Sequence, residues 1–217
     1  MNRVAAFAVT DDSTIVRLIR NLAFAQVVTH GADGFLASSV PLLLDEPDDG
    51  PWRLRGHVSR SNPQAKIGGA EVPVLVLFVG PHTYVSPSAY ATKAETGRVV
   101  PTWNYVEVHV HGTLRLTDEP GRTLAVVTEL TDVHEATRAQ PWQVADAPDG
   151  YVDGLARGIV SFEVVVDRVE AKAKLSQDKS EADRLGVIAD LAGRPGGASD
   201  IARSMRTGGF DGPQDSS

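Results

Sequence analysis

The stretch that decides the fold is "VVPTWNYVEVHVHG", Val99 to Gly112. From Val106 onward, Val106, Val108 and Val110 alternate with Glu107, His109 and His111, which is the period-two signature of a β-strand. One face is apolar and suits a core. The other is a column of Tyr105, Glu107, His109 and His111, entered through Pro101, Trp103 and Asn104. A plain solvated face has no use for that aromatic doorway, so the strand is expected to present its polar side to something specific.

The same periodicity runs outward from this strand. Upstream, Asp11-Asp12-Ser13-Thr14 offers N-cap acceptors ahead of Ile15, Leu18, Ile19 and Leu22 at helical spacing. Strand-like runs follow at Ala25–His30, Phe35–Leu44 and Trp52–Val58, separated by "GADG" and "DEPDDGP" turns. Val72–Val79 is continuously apolar and reads as a strand buried on both faces. Thr83–Ser86 and Trp103–Thr117 add strands. Pro120–Arg138 turns helical, with Leu124, Val127, Leu130 and Val133 on one side, and Trp142–Leu155 reads as a broken helix. Ile159–Ala173 is a long strand and Ser180–Leu191 a helix. Six or seven closely spaced strands with flanking helices predict a barrel, which hides sheet edges. The expected organisation is a single domain over residues 1–205, with a Gly-, Ser- and Asp-rich disordered tail at 206–217.

Composition narrows the chemistry. The 217 residues include no cysteine, which removes disulfides, thiolate nucleophiles and cysteine-ligated metal sites. A net charge of −7 argues against a broad phosphate-binding surface, so direct DNA binding is not expected. No apolar run approaches the ~20 residues of a membrane span, and the expected location is the cytoplasm. GxSxG, GxGxxG and Walker A patterns are absent.

Against the acidic whole, Pro51 to Lys66 contains no acid but holds Arg53, Arg55, His57, Arg60 and Lys66. Arg60, Ser61, Asn62 and Gln64 fall at a strand-to-helix junction, where arginine forks and amide donors suit a phosphate. The same arginines also suit an ordinary solvated strand face. A second basic pair, Lys172 and Lys174, ends the last long strand in "VDRVEAKAKLSQDK"; it either completes an anion pocket or guards a sheet edge. His109 and His111, spaced i, i+2, have chelating geometry with His57, His82 or Glu107 as a third ligand, but no metal motif supports one, and no metal is expected.

Four blocks, "GHVSRSNPQ", "VGPHTYVSPSAY", "VPTWNYVEVHVHG" and "AKLSQDKSEADRLGVIADL", resemble the PaiB family, labelled FMN-binding negative transcriptional regulators. They appear in family order between residues 56 and 191. The chain departs from the family in beginning "MNRVAAFAV" rather than with a Met-Tyr-x-Pro-like segment, and in carrying Ala89 where an aromatic often precedes the tyrosine. The resemblance implies an α+β, mainly β fold, a split β-barrel like pyridoxamine-phosphate oxidase with flanking helices. It also implies a homodimer with flavin at the subunit interface. The flavin ring would lie on Trp103 or Tyr105, beside Asn104. The phosphate would be held by Arg60 with Ser61, Asn62 and one of Lys172 or Lys174, with His57 close by.

Three functions from different classes follow from this resemblance. The first is a flavin protein, either a flavin-dependent oxidoreductase or a binder of a small-molecule ligand. The second is a regulator that acts without reading DNA directly. The third is a haem-binding or haem-degrading split barrel with His57, His109 or His111 as an axial ligand.

Overall fold

The computed structural model describes residues 4–31, 34–67 and 71–208. The chain falls into two compact units, each built from discontinuous segments. Unit 2 takes 23–77 and 110–169, and unit 1 takes 1–22, 78–109 and 170–217. The tail from residue 209, expected to be disordered, lies outside the described residues, whereas Arg206 and Thr207 close a helix.

Unit 2 is a curled antiparallel sheet. Its strands are β2 (Phe24–Gly31), β3 (Gly34–Pro41), β4 (Leu43–Asp45) and β5 (Arg53–Ser59), with the unit's share of β6 (Val72–Val85), β7 (Thr102–Thr117) and β8 (Ile159–Lys174). They run in the order β3-β2-β6-β7-β8-β5-β4. Tight hairpin pairing joins β2 to β3, from Phe24 opposite Pro41 to Gly31 opposite Gly34. At Leu42 the chain turns over, β4 pairs with β5, and β3 is brought against β5, so the sheet curls toward closure. Val27, Leu54, Val76, Val110 and Val164 fill the inside.

Val72–Val79, expected to be buried on both faces, alternates instead. Val72, Val74, Val76 and Phe78 point in, whereas Val79 is 61% exposed. The strand also continues to Val85, past Pro81, whose missing N–H interrupts a ladder. There the burial phase slips by one residue, which puts His82 and Tyr84 on the outward face with Val79.

Helix α3 (Pro120–Glu135) lies over the outside of the unit 2 sheet. It buries Thr123, Val126 and Leu130, the last two against Leu43. The expected face was Leu124, Val127, Leu130 and Val133, yet Val133 is 56% exposed. The seat is partly polar: Thr123 Oγ1 and Ser161 Oγ are 3.0 Å apart. Helix α4 (Tyr151–Ala156) packs on α3.

Unit 1 carries the remaining helices around the other ends of β6, β7 and β8. Asp11 Oδ2 accepts from Thr14 N at 2.9 Å and caps α1 (Asp12–Leu22), which buries Ile15, Leu18 and Ile19. The two-residue β1 (Ala8–Val9) pairs with β8, Ala8 opposite Lys172. Helices α5 (Glu181–Ala192) and α6 (Gly197–Thr207) pack on one another through Val187, Leu191, Ile201 and Met205. The α6 helix has no counterpart in the sequence reading. A short helix, α2 (Thr92–Thr96), is tied to α5 by Asp183, whose carboxylate accepts from Thr92 N and Thr92 Oγ1, both at 2.9 Å.

Candidate functional site

Strand β7 behaves as its alternation predicts. Asn104, Val106 and Val108 are buried, while Trp103, Tyr105, Glu107 and His109 face outward. In unit 1 this outward face joins that of β6. The Trp103 ring lies 6.2 Å from Tyr84 at 72° and 6.1 Å from His82 at 38°. Val79, His82, Trp103, Tyr105 and Glu107 line an open hollow of about 350 Å³. That sits at the lower end of the ~300–1,000 Å³ range of ligand pockets. Its floor is an aromatic tray left bare: Trp103 is 52% exposed. Glu107 also reaches His109 Nε2, 3.5 Å away.

Two cations border the tray. Lys172 is only 4% exposed, and its Nζ lies 5.1 Å from the centroid of the Tyr105 ring. No carboxylate or carbonyl among the described residues takes its protons. Lysine is rarely buried without a partner, so this ammonium is the most unusual charge in the unit. Lys174 donates to Thr102 Oγ1 at 2.7 Å and to Trp103 O at 2.6 Å. Burial pulls its pKa below the ordinary lysine value, Asp178 opposes that shift, and Lys179 and Lys172 add to it. Asp178 is itself 3.0 Å from Lys179 Nζ, so the turn keeps an excess of positive charge.

Asn104 lies behind the tray, not on it. It is fully buried, and its Nδ2 donates to Ser176 Oγ at 2.9 Å.

The remaining sequence candidates fall in unit 2, where the basic stripe is largely neutralised. Arg60 donates to both oxygens of Asp118 at 2.6 and 3.1 Å and to the carbonyls of Arg157 and Ile159. Its partner carboxyl is held below the usual range by that guanidinium. Arg55 is taken by Asp45 and Glu129. Ser61 Oγ pairs with Ser59 Oγ at 2.8 Å. Asn62 caps the short 3-10 turn at Pro63–Lys66 by accepting from Gln64 N, and its Nδ2 donates to Ser38 Oγ. His57 is half-buried, its Nδ1 finds no partner, and burial lowers its pKa. Thus Trp103, Tyr105, Lys172 and Lys174 come together in unit 1, while His57, Arg60, Ser61 and Asn62 belong to unit 2. Tyr84, His82 and Val79 were missed as tray residues. Val79 faces outward by simple alternation within the apolar run, and the slip at Pro81 turns His82 and Tyr84 to the same side.

Comparison with known proteins gives the family and the fold. The family described as "Putative FMN-binding domain" matches residues 1–168. The chain belongs to this family. Among relatives, the Bacillus subtilis "Protease synthase and sporulation protein PAI 2" is 33% identical over 187 residues, covering 85% of this chain and 86% of that one. A protein of Emericella nidulans is 38% identical over 183 residues, covering 70% and 73%. Solved structures share the fold at low identity. A conserved Mycobacterium tuberculosis protein matches with a TM-score of 0.58 at 13% identity, covering 83% of this chain and 95% of that one. The "FAD and Heme binding protein" of Mycobacterium smegmatis matches with 0.54 at 13%, covering 81% and 78%. The family is thus PaiB-like and the fold a flavin-type split barrel with flanking helices, as the four sequence blocks imply. Among the described residues no helix is long and apolar enough to cross a membrane.

Proposed function

We propose that this chain is a flavoprotein that seats FMN on unit 1, with the ring system against the Trp103–Tyr105 tray and the phosphate toward Lys172 and Lys174. The observation that carries this reading is a bare aromatic floor bordered by two lysines, neither of which forms a carboxylate ion pair among the described residues. A flavin needs both features: a flat apolar wall for its ring and cations for a phosphate of about −2 charge. The residues present fit the group. Bound FMN would supply one- and two-electron redox chemistry, and the protein's part is to hold and shield it.

This reading moves the phosphate away from Arg60, because Asp118 and two carbonyls already occupy that guanidinium. Self-association belongs to the same proposal. Val79, Tyr84 and Trp103 form an exposed apolar face, of the kind a symmetric dimer covers. Any regulatory role runs through flavin or a protein partner, since the net charge of −7 gives DNA little to hold.

The deciding experiment is the absorbance of the purified protein, followed by fluorescence-quenching titrations with FMN and riboflavin. Flavin bands, saturable binding and a preference for FMN are expected, with light scattering showing a dimer. A Soret band instead of flavin bands, or no binding of either flavin, would overturn the proposal.

A further inference from the structure

The most constrained polar contact in unit 1 touches no surface. Asn104 is 0% exposed and Ser176 is 2% exposed, yet they exchange two hydrogen bonds. Asn104 Nδ2 donates to Ser176 Oγ at 2.9 Å, and Ser176 Oγ donates back to Asn104 Oδ1 at 3.2 Å. Ser176 is also the one non-glycine residue with positive φ among those described, at 60°. A serine gains nothing locally from that conformation, which costs on the order of 1–3 kcal/mol and survives only where its surroundings enforce it. The turn around it is fastened as well. Gln177 Oε1 accepts from Leu175 N, Gln177 Nε2 donates to Ala173 O, and Ser176 O accepts from Lys179 N. Met205 Sδ, 3.6 Å from Asn104 Nδ2, closes the far side.

Its position in the chain shows what this fastening controls. Ser176 follows Lys174 by two residues, and Asn104 directly follows Trp103, whose carbonyl accepts from Lys174 Nζ. The buried pair therefore pins together the two segments that supply the cation and its acceptors. We propose that Asn104 and Ser176 form a positioning lock: a strained, fully hydrogen-bonded pair that holds Lys174 at the Thr102–Trp103 edge of the tray. Neither residue touches the ligand; they act through Lys174. The inference rests on the reading of that edge as the FMN phosphate site, and it assigns to "TWNY" and "KLSQ" a single shared task.

The test uses Ser176→Gly in the full chain. Glycine accepts positive φ without strain, so the backbone stays permitted while the hydroxyl is lost. Two readouts are taken. In the first, FMN and riboflavin are titrated in parallel. The FMN preference should fall about threefold to tenfold, part of what one charge-assisted hydrogen bond supplies, with riboflavin affinity unchanged. In a Lys174→Met background the same substitution should change the preference no further, because residues acting as one unit are not additive. In the second readout, a lysine-labelled NMR titration follows Lys174 without flavin. Its pKa should rise toward the ordinary lysine value of about 10.4 as the ammonium is released to water. Val133→Ala, at an exposed position of α3 in unit 2, serves as the folded control and should move neither readout.

Equal weakening of FMN and riboflavin, or a Lys174 titration unmoved by Ser176→Gly, would overturn the lock. If wild type shows no preference for FMN, the phosphate reading fails, and the titration alone decides the lock. Should Ser176→Gly fold poorly, Asn104→Ser removes the amide from the other side, and the same two readouts apply.

Discussion

Lys172→Met separates a structural lysine from a ligand-binding one. The lysine stem is buried and its ammonium sits 5.1 Å from the Tyr105 ring centroid, with no acid bound to it among the described residues. Methionine keeps the length and apolar bulk of the stem and removes the charge. The fold loses a cation–π contact of ~0.5–2 kcal/mol and regains a sulfur–aromatic contact of ~0.3–1.5 kcal/mol. Stability should therefore change by less than about 1 kcal/mol, a shift of roughly 2–4 °C in melting temperature at most. The ligand sees a different balance. A charge-assisted hydrogen bond to phosphate is worth about 1.5–3 kcal/mol, so FMN should bind roughly tenfold to a hundredfold more weakly. Riboflavin, with no phosphate, should bind within about threefold of wild type, well under 1 kcal/mol. Paired fluorescence titrations and a thermal melt give all three numbers. The reasoning is refuted if both flavins weaken together, or if the melt collapses while the FMN preference survives.

The other expectations are smaller in scope. Arg60→Ala should leave the FMN-to-riboflavin preference unchanged, because its guanidinium is held by Asp118 and two carbonyls; a selective loss of FMN would return the phosphate to unit 2. His57, whose pKa burial depresses, binds fewer protons folded than unfolded as pH falls below about 6.5, so it should make the protein acid-labile. Its contribution is complete above that pH and is lost on acidification toward the lowered value. Urea melts of wild type and His57→Gln should therefore converge near neutrality and diverge in acid, and parallel curves would refute the sign. Gly112→Ala should destabilise by about 1–3 kcal/mol in urea melts, since a Cβ there runs into the backbone carbonyl of Val165; an unchanged midpoint would show that the strands can move apart.

Much of the barrel was legible because its information is local. Alternation from Val106 to Val110 placed β7, and the cap acceptors at Asp11–Thr14 placed α1. What escaped was set by contacts distant in sequence. The buried face of α3 meets residues far away in sequence, Thr123 bonding Ser161 and Val126 and Leu130 packing on Leu43. The outward turn of His82 and Tyr84 comes from a one-residue slip at Pro81, just past the apolar run Val72–Val79. The basic residues show the limit most clearly. Arginines and lysines look equally available in a sequence, but availability depends on what the fold sets beside them. Asp118, 58 residues from Arg60, closes off that guanidinium, while among the described residues nothing comparable reaches Lys172. The acid-free run from Pro51 to Lys66 thus advertised charge that the fold cancels with distant acids. Over the lysine pair the fold packs the rings of Tyr105 and Phe7. Ligand-binding charge is therefore better read from what a fold leaves unpaired than from where a sequence concentrates it. By that criterion Lys172 and Lys174, rather than Arg60, are the groups on which FMN affinity should depend.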